Sequence, residues 1–111
     1  RLNGARVGAN VLYLGVLEAS CDFEMLELGD FAVVEYNVRL QAHEVINAHI
    51  AHRPISLGRR AHVGSRSNLL AGSTMAPGSR LLDQSLLLGR SHARPGQVWG
   101  GLPATMSRSQ G

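Results

Sequence analysis

The chain has 111 residues, of which 44 % are hydrophobic and 5 % aromatic, with 13 glycines and a single cysteine. That length suits one domain, the lone Cys21 rules out a disulfide framework, and no apolar run reaches the roughly 18–20 residues that span a bilayer. The formal charge is +3, and it is unevenly spread: three arginines and seven acids precede Val45, whereas eight arginines and one acid follow it, and lysine is absent.

Taken from the start, "VGANVLYLG" at 7–15 reads as a degenerate turn with Val7 and Tyr13 inward and Val11 at a corner. Leu28, Val34 and Leu40 then stand six residues apart, with Ala32 and Val38 four positions after the first two. The same pattern returns without exception at Leu57, Val63, Leu69, Met75, Leu81 and Leu87, each followed four positions later by Ala61, Ser67, Ser73, Ser79, Ser85 or Ser91. A helix spaces apolar residues three and four apart and a half-buried strand two apart, so neither explains a strict six. A hexapeptide β-helix does: each hexad gives one short parallel strand and a corner, and three hexads close a triangular coil that stacks on the next. The aliphatic residue points into the prism, and the small residue fits a tight corner. The reading is all-β, a single solenoid domain of hexapeptide repeats with loop insertions.

The boundaries that follow are a degenerate first coil and connecting loop at 1–27, a β-helix at 28–92 interrupted by an insertion at 45–56, a closing segment at 93–104 and a disordered tail at 105–111. Two stretches break phase, "ASCDFEMLE" at 19–27 and "VINAHIAHRPIS" at 45–56, and solenoids carry such insertions as loops on one face, which often binds. Cys21 reads as a small core residue, His62 and His92 as turn residues, and Trp99 as a cover for the last coil. The chain starts at Arg1, almost in mid-coil, which reads as a piece of a longer polypeptide or a processed product.

Arg59, Arg60, Arg66, Arg80 and Arg90 all fall at outward phases of the hexad. Guanidinium forks match phosphate oxygens, so this half could attract the phosphate of a nucleotide-containing cofactor or a phosphopantetheine arm, or simply form a solvated face. No aromatic residue is interleaved with these arginines, which argues against a nucleic-acid partner. Glycine-rich phosphate loops, a Gly-x-Ser-x-Gly elbow and paired carboxylates are missing, so phosphoryl transfer and serine hydrolysis lack support.

"LELGDFAVVEYNVRLQAH" at 26–43, followed by "LGRRAHVGSRSNLLAGSTMAPGSRLLDQSLLL" at 57–88, resembles the bacterial hexapeptide-repeat acyltransferases. In particular it resembles the tandem C-terminal domains of nonribosomal-peptide-synthetase-like proteins of the epsilon-poly-lysine synthetase type. "GQVWGGLPA" at 96–104 is similar to the Gly-x-Pro-Ala ending of many hexapeptide acyltransferases. The resemblance implies a left-handed parallel β-helix that passes an acyl or aminoacyl group from a thioester to an amine or hydroxyl. It implies a donor on a carrier protein or coenzyme A, no covalently bound cofactor, a homotrimer or tandem β-helices, and a cytoplasmic setting, with a membrane-associated parent protein as the alternative.

His43 matches the family's Leu-Gln-x-His histidine, which the resemblance makes the general base, a role suited to an imidazole that is largely neutral at physiological pH. The loop after it offers Glu44 but no Glu-Asp pair to orient that base. Gly101, Pro103 and Ala104, with Arg90, are the implied contacts of the acyl donor. Two other readings stand beside this one: a non-catalytic structural or docking module of a larger synthetase, its arginine face meeting an acidic carrier domain, and a zinc site of the carbonic anhydrase kind built from His43, His49, His52 or His62. The latter needs three imidazoles about 2.0–2.1 Å from the ion, at spacings off the hexad phase, and no metal ligand is assigned.

Overall fold

The computed structural model of the chain describes residues 6–14, 26–41 and 43–109; Cys21 and most of the 19–27 stretch lie outside these described residues. The first coil supplies β1 (Arg6–Val7) and β2 (Leu12–Tyr13), and the second β3 (Leu26–Leu28), β4 (Val33–Val34) and β5 (Arg39–Leu40). A hairpin of β6 (His43–Ile46) and β7 (His49–His52) intervenes. The third coil holds β8 (Ile55–Leu57), β9 (His62–Val63) and β10 (Asn68–Leu69), and the fourth β11 (Thr74–Met75), β12 (Arg80–Leu81) and β13 (Leu86–Leu87). The last begins with β14 (His92–Ala93) and continues into β15 (Gln97–Gly101) and β16 (Ala104–Ser109).

Each strand pairs with its equivalent one coil away, and so three sheets form the walls of a prism. The first wall has the order β1-β3-β8-β11-β14, the second β16-β15-β12-β9-β4-β2 and the third β13-β10-β5. All pairings within the walls are parallel except β15 with β16. Leu57 lies in register with Leu28 and Met75, Val63 with Val34 and Leu81, and Leu69 with Leu40 and Leu87, so the hexad becomes stacked apolar columns.

Packing follows from that register. Leu57, Val63, Leu69, Met75, Leu81 and Leu87 are at most 2 % exposed, and Val7, Val11, Tyr13, Leu40 and Trp99 lie partly buried against them. One such side chain per hexad contributes about 1.5–3 kcal/mol, enough for a narrow interior without large aromatics. Ala61, Ser67, Ser73, Ser79 and Ser85 are buried at the corners, where a bigger side chain would meet the next coil.

The tightest backbone, however, lies one residue before the small site. Phe31 (φ 60°), Asn37 (58°), Arg60 (60°), Arg66 (61°), Gln84 (55°) and Arg90 (65°) are left-handed there, as are Gly72, Gly78 and Gly96. Several long side chains thus sit where glycine or asparagine carries the least steric cost, and three of the outward arginines are corner residues.

Three expectations need correction. The insertion is not a loop over 45–56: Asn47 (φ 49°) and Ala48 (φ 62°) make a two-residue turn with both φ values positive, the geometry that joins two antiparallel strands, and Ile55 already belongs to the third coil with its side chain fully buried. Residues 105–109 are not disordered, because β16 folds back on β15 and continues the second wall. His62 and His92 are not turn residues; each stands on a strand next to an inward aliphatic position, and so faces out of the prism. Among the described residues no helix is long and apolar enough to cross a membrane.

Candidate active site

The hairpin leaves the prism after β5, at the edge between the third and first walls. Its register sets His43 directly opposite His52, Glu44 opposite Ala51, Val45 opposite Ile50 and Ile46 opposite His49. The sequence flagged these histidines as neighbours in a segment of unknown shape; two-residue turn geometry is what makes His43 and His52 a cross-strand pair. His49 and Ile50 are exposed on the projecting strand, Ile50 to 66 %. Among the described residues no three His, Cys, Asp or Glu side chains cluster as a metal ion requires.

Below the hairpin, on the same edge, the chain passes Arg53, Gly72 and Arg90. A Cβ on Gly72 would stand 3.5 Å from both Arg53 Cδ and Arg90 Cγ, so the two arginine stems flank this corner. Arg90, exposed at the corner between β13 and β14, lies along the edge from which the hairpin leaves.

The closing segment lies elsewhere. Gly101 donates its N–H to Ser85 Oγ at 3.1 Å, which fixes the end of β15 over the corner between β12 and β13. Gly101 adopts φ 113°, the Leu102–Pro103 peptide is cis, and Ala104 is buried beneath the reversal. Leu102 is 75 % exposed at its tip. The structure therefore brings Arg90 and the His43 hairpin to one edge of the third wall and Gly101, Pro103 and Ala104 to the other. Along the axis, the hairpin leaves between the second and third coils, whereas β15 pairs with the fourth and belongs to the fifth; at about 4.8 Å per coil they are offset by roughly 12 Å.

Two further histidines have defined partners that the sequence did not reveal. His62 Nε2 bonds to Glu35 Oε2, joining the second and third coils across the outer face of the second wall, with both side chains about one-third exposed. His92 Nδ1 bonds to Thr74 Oγ1 on the first wall. The signal was present in the spacing: once coils two and three are aligned through Val34 and Val63, Glu35 and His62 fall on adjacent rungs.

The architecture is the left-handed parallel β-helix of hexapeptide-repeat acetyltransferases. Among solved structures the chain is similar to a hexapeptide-repeat acetyltransferase from Vibrio cholerae, with a TM-score of 0.84 and 16 % identity over 97 % of this chain and 64 % of that one. The Vibrio protein complexed with acetyl coenzyme A gives a TM-score of 0.85 at 16 % identity, covering 98 % of this chain and 62 % of that chain. A galactoside acetyltransferase in complex with coenzyme A gives 0.80 at 20 % identity, covering 98 % of this chain and 56 % of that chain. The chain thus spans somewhat less than two thirds of the length of these proteins, and the likeness is one of fold. No protein-family model and no curated protein matches the sequence.

Proposed function

We propose that this β-helix is part of an acyltransferase that moves an acyl or aminoacyl group from a thioester to an amine or hydroxyl. The observation that carries the reading is the histidine-bearing hairpin, with His43 opposite His52, projecting from a prism of the acetyltransferase type. Similar structures solved with acetyl coenzyme A and with coenzyme A support a coenzyme A thioester as donor. The finer version, suggested by the 26–43 and 57–88 stretches, is a carrier-protein thioester within a nonribosomal-peptide-synthetase-like protein, in a cytoplasmic setting.

In this mechanism neutral His43 takes the proton of the acceptor as its nitrogen or oxygen attacks the thioester carbonyl carbon. The carbon–sulfur bond then breaks, and the thiolate leaves and receives a proton from the imidazolium. Arg90 would meet a donor phosphate, since a guanidinium presents several fixed donors to phosphate oxygens. The Gly101–Ala104 turn would lie beside the pantetheine arm. Because Arg90 and that turn occupy opposite edges of one wall, a site holding both is formed between copies of the chain, which accords with a homotrimer.

The test is thioester turnover by the intact parent polypeptide, followed as thiol release from acyl-coenzyme A or an acyl-carrier protein, beside His43→Ala. A loss of about a hundredfold or more is expected for removal of a general base. Unchanged turnover would take His43 out of the chemistry and favour a docking module. His52→Ala is the internal comparison: its cross-strand position makes it a neighbour of the base, and its loss is expected to cost less than that of His43.

A further inference from the structure

The outer face of the first wall carries a straight row of polar side chains. Register places Glu27, Ser56, Thr74 and His92 on successive rungs of β3, β8, β11 and β14, each one residue before an inward apolar position. Two of them are joined: Thr74 Oγ1 and His92 Nδ1 share a hydrogen bond. Thr74 is half-buried and His92 exposed, so the pair is open to a ligand. A groove of about 350 Å³ runs over it, lined by Thr74, His92, Ser56, Pro77 and the exposed Arg94.

A hydroxyl held against an imidazole is the arrangement that activates a weak oxygen nucleophile. With the ring proton on Nε2, Nδ1 takes the hydroxyl proton as the oxygen attacks. Ser56, one coil away, also presents a hydroxyl to the groove, but its neighbours across the strands are Glu27 and Thr74, and neither is an imidazole. The row thus holds one hydroxyl with a base beside it and one without. Lysine is absent from the 111 residues, so no side-chain amine competes for an acyl group.

We propose that Thr74 is a self-acylation site, taking an acyl group from a small thioester. Thr74 Oγ1 attacks the carbonyl carbon, its proton passes to His92 Nδ1, and Arg94 supplies positive charge to the oxyanion that develops. The carbon–sulfur bond then breaks, and the thiolate leaves with the proton that His92 held. The products are an O-acyl threonine and one free thiol. The ester stays on the chain, so each chain consumes one thioester and nothing turns over. The donor class rests on the proposed function; the hairpin takes no part.

The test incubates the full-length protein with S-acetyl-N-acetylcysteamine, a thioester without a nucleotide, and locates the acetyl group by peptide mass spectrometry. Thr74 is expected to be acetylated about a hundredfold or more faster than Ser56, within what a positioned general base contributes. His92→Gln should slow Thr74 acetylation by a similar factor. Thr74→Val, which keeps the branched shape on the strand, should abolish it, whereas Thr74→Ser should retain it and Ser56→Ala should leave it unchanged. Unaltered circular dichroism spectra will confirm that each variant is folded. An unacetylated Thr74 in the parent protein, equal rates at Thr74 and Ser56, or an unchanged rate in His92→Gln would overturn the proposal. No acceptor is present and the acetyl group is scored by residue, so failure here leaves the acyl-transfer reading standing. Turnover lost in His43→Ala while Thr74 is still acetylated leaves this one standing.

Discussion

The coils from Leu57 to Ala93 and the hairpin from His43 to His52 divide the work of this chain. In the coils every sixth residue is sealed inside the prism, and register ties each strand to its equivalents above and below. In the hairpin two antiparallel strands pair with each other, and the described side chains at its tip are open to solvent. The difference shows what a strict repeat does for a protein: stability resides in stacked columns that tolerate little change, which leaves an inserted segment free to carry chemistry.

Core truncation tests this division most sharply. Leu69 is fully buried between Leu40 and Leu87, and Leu69→Ala should destabilise the fold by about 2–5 kcal/mol, the range for emptying a close-packed site. Ile50 is a similar side chain with 66 % of its surface exposed, and Ile50→Ala should stay within about 0.5 kcal/mol. Denaturant midpoints measured side by side decide it; comparable losses would mean that the hairpin shares the cooperative core.

The next test removes the hairpin. Replacing residues 43–55 by Gly-Ser gives Leu40-Gln41-Ala42-Gly-Ser-Ser56-Leu57, the form of Leu69-Leu70-Ala71-Gly72-Ser73-Thr74-Met75 one coil, or three hexads, further on. The shortened chain should remain a β-helix by circular dichroism, weakened mainly by the loss of buried Ile55, about 1.5–3 kcal/mol. Thioester turnover should fall to background. A shortened chain that still turned over thioester would place the chemistry on the walls.

Corner geometry gives a smaller effect of predictable sign. Gly72 has φ 83°, and an added Cβ would meet its neighbours at an ordinary contact distance of 3.5 Å, so Gly72→Ala should cost about 1–2 kcal/mol from backbone strain alone. At Gln84, with φ 55°, the strain is already present, and Gln84→Gly should change stability by less than about 1 kcal/mol and in the stabilising direction, because relief of strain exceeds the entropy that glycine loses. Thermal melts of the two variants should move in opposite directions.

The walls were legible in the sequence because their period is enforced by sterics at every coil: the regular interior columns take aliphatic residues, and the corners take mostly small ones. Leu57 through Ser91 therefore disclosed the fold. The left-handed corner residue was not legible, since Arg60, Arg66, Gln84 and Arg90 stand where Gly72, Gly78 and Gly96 also stand, and such a mixture hides the backbone requirement. Asn47-Ala48 lacks the glycine that usually marks a two-residue hairpin turn, which is why the segment read as a loop. At the candidate site, His43 and Arg90 could be named from the chain, but that Gly101, Pro103 and Ala104 lie across the third wall from them depends on how β15 closes the last coil.

The pair that the sequence missed also separates the two regions most finely. His62 and Glu35 belong to the regular walls, yet they lie on the outside and connect the two coils between which the hairpin is inserted. Both are about one-third exposed, so solvent screens their attraction, and His62→Gln should lower stability by no more than about 1 kcal/mol. If the pair serves only to hold coil to coil, turnover should keep its rate in that variant while the denaturant midpoint falls slightly. A large loss of turnover with an intact fold would instead place a second acid–base group on the wall, and the division between a stabilising prism and a reactive hairpin would no longer hold.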